Sequence, residues 1–316
     1  FSIEASVPQL AAVAQLERFH DDERRRVPEG SRPALGPDVP VIEFEAVTFT
    51  YPGAGTPVLS GLDLVLAPGR SVAIVGDNGA GKTTLLKLLA GFYQPDSGRI
   101  LVDGHDLAEL DLAEWRRRLA VIFQDFTHFE LSAAENISLA DPERADAREL
   151  VHAAARAAGA GDIVESLPAG ADTVLSRAFT DGVDLSGGQW QRIALARAMY
   201  AAQTGGQVVI LDEPTASLDV GAEVALFDQL LNHAAGCTAI VVSHRFSTVR
   251  RADRIVVLSD GVVVEDGTHD ELMAAGGRYE HLYVLQARRF RDNPTADDPT
   301  ADDPTAGQAG GRLRND

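Results

Sequence analysis

The run GDNGAGKTT, from Gly76 to Thr84, combines residue types at a spacing suited to holding phosphate. Gly79 and Gly81 let the backbone wrap an anion while successive N–H groups, from Asp77, Asn78 and Ala80 onward, point inward. Lys82 would neutralise β- and γ-phosphates, the Thr83 hydroxyl would bind Mg2+, and Thr84 completes the run. Two neighbouring carboxylates, Asp212 and Glu213, follow the apolar VVIL. Asp212 is positioned to hold Mg2+ through its water shell, and Glu213 is the natural base for a water attacking the γ-phosphate. His244 ends IVVSH and Gln124 ends VIFQ. Strands of one sheet would bring both to one crevice, His244 to contact the γ-phosphate and Gln124 to sense Mg2+ or the attacking water. Tyr51, in FTYPGAG, offers an aromatic face for adenine. A second glycine-rich stretch, DLSGGQWQRIALARA, places Ser186, Gly187, Gly188 and Gln189 at the start of a helical pattern. Free backbone N–H groups and the helix dipole make that start a second anion site.

These side chains need strands ending at a common edge. VIEFEAVTF alternates as a half-buried strand, and VLSGLDLVL continues it. SVAIVG is a short apolar run feeding the glycine loop, and KTTLLKLLAGF behind it is helical. GRILVDG and LAVIFQ add strands, as do QVVILDE, TAIVVSH, RIVVLSDG and VVVEDG after residue 200. Between Asp125 and about Met199 the chain is Ala-rich and helix-like. THDE, Thr268–Glu271, fits a capping box opening a helix. The pattern predicts an α/β fold with a mainly parallel sheet, an antiparallel β region near its start and an α-helical insertion over about residues 125–200.

Taken in order, these motifs resemble the nucleotide-binding domain of an ABC transporter, a P-loop NTPase. Tyr51 matches the adenine-stacking loop, Gly76–Thr83 the Walker A motif and Gln124 the Q-loop. Leu185–Gln189 match the LSGGQ signature, Val208–Asp212 with Glu213 the Walker B strand and its glutamate, Ser217–Asp219 the D-loop, and His244 the switch histidine. The resemblance implies ATP and Mg2+ as ligands and a second cassette, identical or not, as partner. Each ATP would lie between the Gly76–Thr84 loop of one chain and Ser186–Gln189 of the other. The exporter branch is the better match. It implies a preceding membrane domain of six helices, and a cassette on the cytoplasmic face of the plasma membrane. A separate importer ATPase subunit and a soluble ABC ATPase are the alternatives. Two stretches depart from the exporter pattern: TVLSRAFTDGVD stands before the signature where exporters carry a VGERG-like run, and Trp190 follows it where Arg is common.

Composition bounds the rest. The 316 residues carry a net charge of −19, and Lys82 and Lys87 are the only lysines. An acidic chain with a pI near 4.7 is a poor partner for nucleic acid. A lone Cys237 gives no disulfide framework. No apolar run reaches the roughly 18–20 residues that cross a bilayer, and a chain opening on Phe1 reads as a fragment or processed product. Residues 1–40 read as a helix, over 1–26, and a Pro/Gly linker from the membrane domain. Residues 41–290 read as the ATPase domain, and 291–316 as a disordered tail of Pro-Thr-Ala-Asp-Asp repeats.

Overall fold

The computed structural model describes residues 33–141, 144, 147–214, 220–233 and 236–292. The expected helix over residues 1–26, the Ser217–Asp219 loop and the repeat tail from 293 lie outside them.

Strands β1 (Ile42–Phe49) and β2 (Leu59–Leu66) pair antiparallel, and alternation decides what they bury. Ile42, Phe44, Val47 and Phe49 point inward from β1, and Leu59, Leu62, Leu64 and Leu66 from β2. Strand β3 (Ser71–Gly76) leaves for a second sheet and runs through the glycine loop into helix α1 (Lys82–Leu89). Strands β4 (Ser97–Val102) and β5 (His105–Asp106) return to the first sheet, whose order is β2-β1-β4-β5. Helix α2 (Leu112–Arg117) is capped by Asp111, which accepts from the N–H groups of Ala113 and Glu114. Strand β6 (Leu119–Ile122) then forms the edge of the second sheet.

Among the described residues, four α-helices intervene before the next strand: α3 (Ala133–Ser138), α4 (Arg148–Ala157), α5 (Gly161–Ser166) and α6 (Gly187–Gln203). Their small side chains, among them Ala154, Ala155, Ala157, Ala196 and Ala198, let α4 and α6 approach closely around Trp190, Met199 and Tyr200. Strand β7 (Val208–Asp212), helix α7 (Val220–His233), strand β8 (Thr238–Val242), helix α8 (Phe246–Val249), strands β9 (Arg254–Ser259) and β10 (Val262–Gly267), and helices α9 (His269–Ala275) and α10 (Arg278–Asp292) complete the described chain.

The second sheet runs β10-β9-β3-β8-β7-β6, all parallel except β10. Every residue of β7 and β8 is buried, as expected of central parallel strands covered on both faces. The order sets β3 beside β8 and β8 beside β7, so the loops after all three open at one edge. This α/β architecture, a mainly parallel sheet with an antiparallel sheet and a helical block, matches the expected fold class. Residues 35–37 are tied to the sheet's far edge. Arg118 donates to the carbonyls of Gly36 (2.6 Å) and Leu35 (3.1 Å), and Gln207 donates to Pro37 O at 2.6 Å.

Candidate functional site

The loop between β3 and α1 depends on two glycines. At Gly76, with φ 151°, a Cβ would lie 2.2 Å from the Leu258 carbonyl oxygen. At Gly81, with φ 100°, it would meet a Leu59 methyl at 2.5 Å. No side chain fits either position, so the backbone itself forms the cradle. Lys82 crosses the loop, its Nζ donating to Gly76 O (2.8 Å) and Asp77 O (2.9 Å). Burial holds the Lys82 amine below its usual pKa, against the charges of Glu213, Asp212 and Asp77. Ala80 turns its methyl into the core and donates its N–H to Asp77 O at 3.2 Å.

Strand β7 delivers Asp212 to the floor beneath the loop, 1% exposed. Burial raises its pKa; the largest opposing influence is the Thr83 hydroxyl, which donates to Oδ2 at 2.9 Å, followed by the Lys82 and Lys87 charges. Among the described residues, no cluster of three His, Cys, Asp or Glu side chains could hold a metal alone. Mg2+ bound through nucleotide phosphates requires only one or two protein oxygens, and Thr83 with Asp212 fits that donor set.

Glu213 departs from the strand. Its φ is 52°, a left-handed conformation that costs a non-glycine residue roughly 1–2 kcal/mol. A hydrogen bond from Glu213 N to Val242 O, 2.8 Å, extends the β7–β8 ladder and helps hold it. The turn presents the carboxylate to the loop after β8, where His244 Nε2 lies 2.8 Å from Glu213 Oε1. Burial and then the Lys82 charge keep the His244 pKa below its ordinary value, with Glu213 opposing both. The ring is therefore neutral at pH 7, and with Nε2 facing a carboxylate it is the Nε2–H tautomer, donating to Glu213.

These groups enclose a cleft of about 580 Å3, lined by Tyr51, Val58, Asn78, Gly79, Gly81, Lys82, Thr83, Thr84, Gln124, Glu213 and His244. The Tyr51 hydroxyl shares a hydrogen bond with Thr84 Oγ1 at 3.1 Å, and its ring packs edge-on against Phe49 and Tyr93. Gly76 and Asp77 line an adjoining cleft on the other side of the loop, which Asn78 and His244 also border. Asp77 additionally forms an ion pair with Arg278 at the start of α10, a contact with no signal in the sequence.

Ser186–Gln189 stand apart from that cleft. They form a capping box opening α6: Ser186 N donates to Gln189 Oε1 at 2.9 Å, and Gln189 N to Ser186 Oγ at 3.4 Å. Ser186 and Gly187 are exposed, and the first N–H groups of the helix lack intrahelical acceptors. Trp190 behind them is buried, stacked on His128 at 4.3 Å between centroids, and its indole N–H reaches Asp184 Oδ1 at 3.4 Å. The helical block thus touches the segment following Gln124.

The sequence profile described as ABC transporter matches residues 59–216, from β2 to just past Glu213. An ATP-dependent lipid A-core flippase of Salmonella typhimurium is 40% identical over 282 residues, covering 89% of this chain and 46% of the relative. The flippase of the same description from Escherichia coli K12 is 43% identical over 245 residues, covering 78% and 41%. Among solved structures, a bacterial Atm1-family ABC exporter with ATP bound aligns with a TM-score of 0.76 at 35% identity. That alignment covers 88% of this chain and 47% of the exporter. The chain therefore spans about half the length of the relatives it matches. With a glycine cradle between β3 and α1, and the family profile running through it to the carboxylates at the end of β7, this chain belongs to the ABC transporter family.

Proposed function

We propose that the chain is the ATP-hydrolysing cassette of a membrane exporter and works as a pair closed around two Mg2+–ATP. The observation that carries this reading is a division of parts. The cleft holds the cradle, Glu213 and His244, whereas the Ser186–Gln189 helix start, exposed at Ser186 and Gly187, lies outside it. A second cassette, in a homodimer or heterodimer, would supply that helix start to the γ-phosphate.

In this reading adenine stacks on Tyr51, and the phosphates lie along Gly76–Thr84. ATP takes Lys82 from the Gly76 and Asp77 carbonyls. Glu213 accepts the proton of a water whose oxygen attacks the γ-phosphorus. The bond to the β–γ bridging oxygen breaks, and ADP leaves with it. His244 steadies the Glu213 carboxylate through its Nε2–H and lies within reach of the γ-phosphate. Gln124 stands at the cleft rim, where it can follow the water and the metal. Mg2+, held by Thr83 and through water by Asp212, would neutralise charge on the β- and γ-oxygens.

No described helix is long and apolar enough to cross a membrane. The flippases and the exporter that this chain matches are about twice its span, which supports a membrane-spanning partner segment on the full-length chain. The cassette would then act on the cytoplasmic face of the plasma membrane. Glu213→Gln is expected to lower ATP turnover by about a hundredfold or more. It should also accumulate an ATP-bound dimer on gel filtration. Undiminished hydrolysis would remove Glu213 from its role, and an ATP-loaded variant that stays monomeric would overturn the pairing.

A further inference from the structure

Gln286 lies on α10, 42 residues beyond His244 in the chain, yet its side chain grips the loop that carries the histidine. Its Nε2 donates to the His244 carbonyl oxygen at 2.7 Å, and its Oε1 accepts the Phe246 N–H at 3.0 Å. One side-chain amide thus satisfies a backbone acceptor and a backbone donor two residues apart, as a neighbouring strand would. Between them, Arg245 N donates to Ser243 Oγ at 3.0 Å, so the turn is closed from inside as well.

The gripping helix is itself fixed. The Glu265 carboxylate accepts the N–H groups of Arg278 and Tyr279, and Arg278 pairs with Asp77 of the cradle. The Tyr279 and Tyr283 rings lie 5.2 and 5.5 Å from that of Phe246, edge-on. Both loops flanking the cleft, the cradle and the His244 turn, are therefore braced on one helix.

We propose that Gln286 is a positioning residue for ATP hydrolysis: by clamping the backbone on both sides of His244 it sets the direction in which the imidazole meets Glu213. The inference rests on the role proposed above for the His244–Glu213 pair. A side chain half exposed at the cleft rim has little packing to orient it, so its direction is decided by the backbone beneath. A displacement on the order of 1 Å at a reacting group costs up to about a hundredfold in rate.

The test is a double-mutant cycle measured on the full-length protein. Gln286→Leu keeps the approximate volume and removes both hydrogen bonds. Gln286→Glu keeps the length and the acceptor but loses the donor to His244 O, and it guards against a Leu variant that folds poorly. Either is expected to lower kcat by about tenfold or more while the KM for ATP stays within about twofold. In a His244→Ala background the same substitution should change kcat by less than about twofold, because the group it positions is gone. Wild-type kcat in both variants, a raised KM with kcat unchanged, or additive losses in the double mutant would each overturn the inference. Undiminished turnover in His244→Ala alone would instead overturn the underlying pair, which separates the two failures.

Discussion

At the scale of single residues the placement of the candidate site was legible because each group follows a short local signature. The cradle, the paired carboxylates and His244 are each written within a few residues of a buried strand, and β3, β7 and β8 deliver them to one edge. Besides the Asp77–Arg278 ion pair, two facts were not legible. The left-handed φ of Glu213 comes from the turn out of β7, and the grip of Gln286 crosses from α10 to the loop after β8, so neither leaves a pattern along the chain. Asp212 illustrates how the site opposes the fold. Burial raises its pKa above the unfolded value, so the folded state favours the protonated acid, and that preference is lost as pH rises through the folded pKa. Above that folded pKa the ionised carboxylate is therefore a cost to the nucleotide-free chain. Asp212→Asn is expected to raise its Tm at pH 7–8, with a smaller gain in acid, while Mg2+-dependent turnover is lost. A lowered Tm at neutral pH, read by calorimetry without nucleotide, would contradict this account of the buried charge.

At the scale of elements, period and capping carried most of the information. THDE announces α9, and the same S/T-x-x-E/Q pattern opens α3 at Ser132–Glu135 and α6 at Ser186–Gln189, both of which could have been read as capping boxes. The two-residue β5 is too short for any alternation to show, and the placement of β3 between β9 and β8 is a matter of pairing at long range. The cap on α6 gives the signature a structural duty besides any contact with nucleotide. Ser186→Ala is expected to cost about 1 kcal/mol of stability through the lost cap. ATP binding by the single chain should survive, since Ser186 lies outside the cleft, while turnover falls. Equilibrium denaturation and binding of a fluorescent ATP analogue measure the two separately. Loss of binding by the monomer would place the serine in its own chain's site after all.

At the scale of the whole molecule, net charge and the incomplete site oppose each other. A chain of net charge −19 repels its copy, and closing two cassettes around ATP adds nucleotide phosphates to that field. Screening reaches about 10 Å at 0.1 M salt and shortens as salt is added. ATP-driven association of the Glu213→Gln chain is therefore expected to strengthen between roughly 0.05 and 0.3 M salt. Sedimentation at several salt concentrations checks this, and weakening with salt would mean that ion pairs across the interface outweigh the overall repulsion. The expected alternation, apolar runs and helical insertion were enough to give the layers of the fold, because burial is a local property of each strand. What joins the layers was not. Arg118 and Gln207 hold the carbonyls of Leu35, Gly36 and Pro37 at the edge where β6 and β7 begin. Those two strands lead to Gln124 and Asp212 at their other ends. Tension arriving along the chain from before Leu35 would thus be carried first by two side-chain clamps and the strands that run to the cleft, with β1 taking only what slips past them.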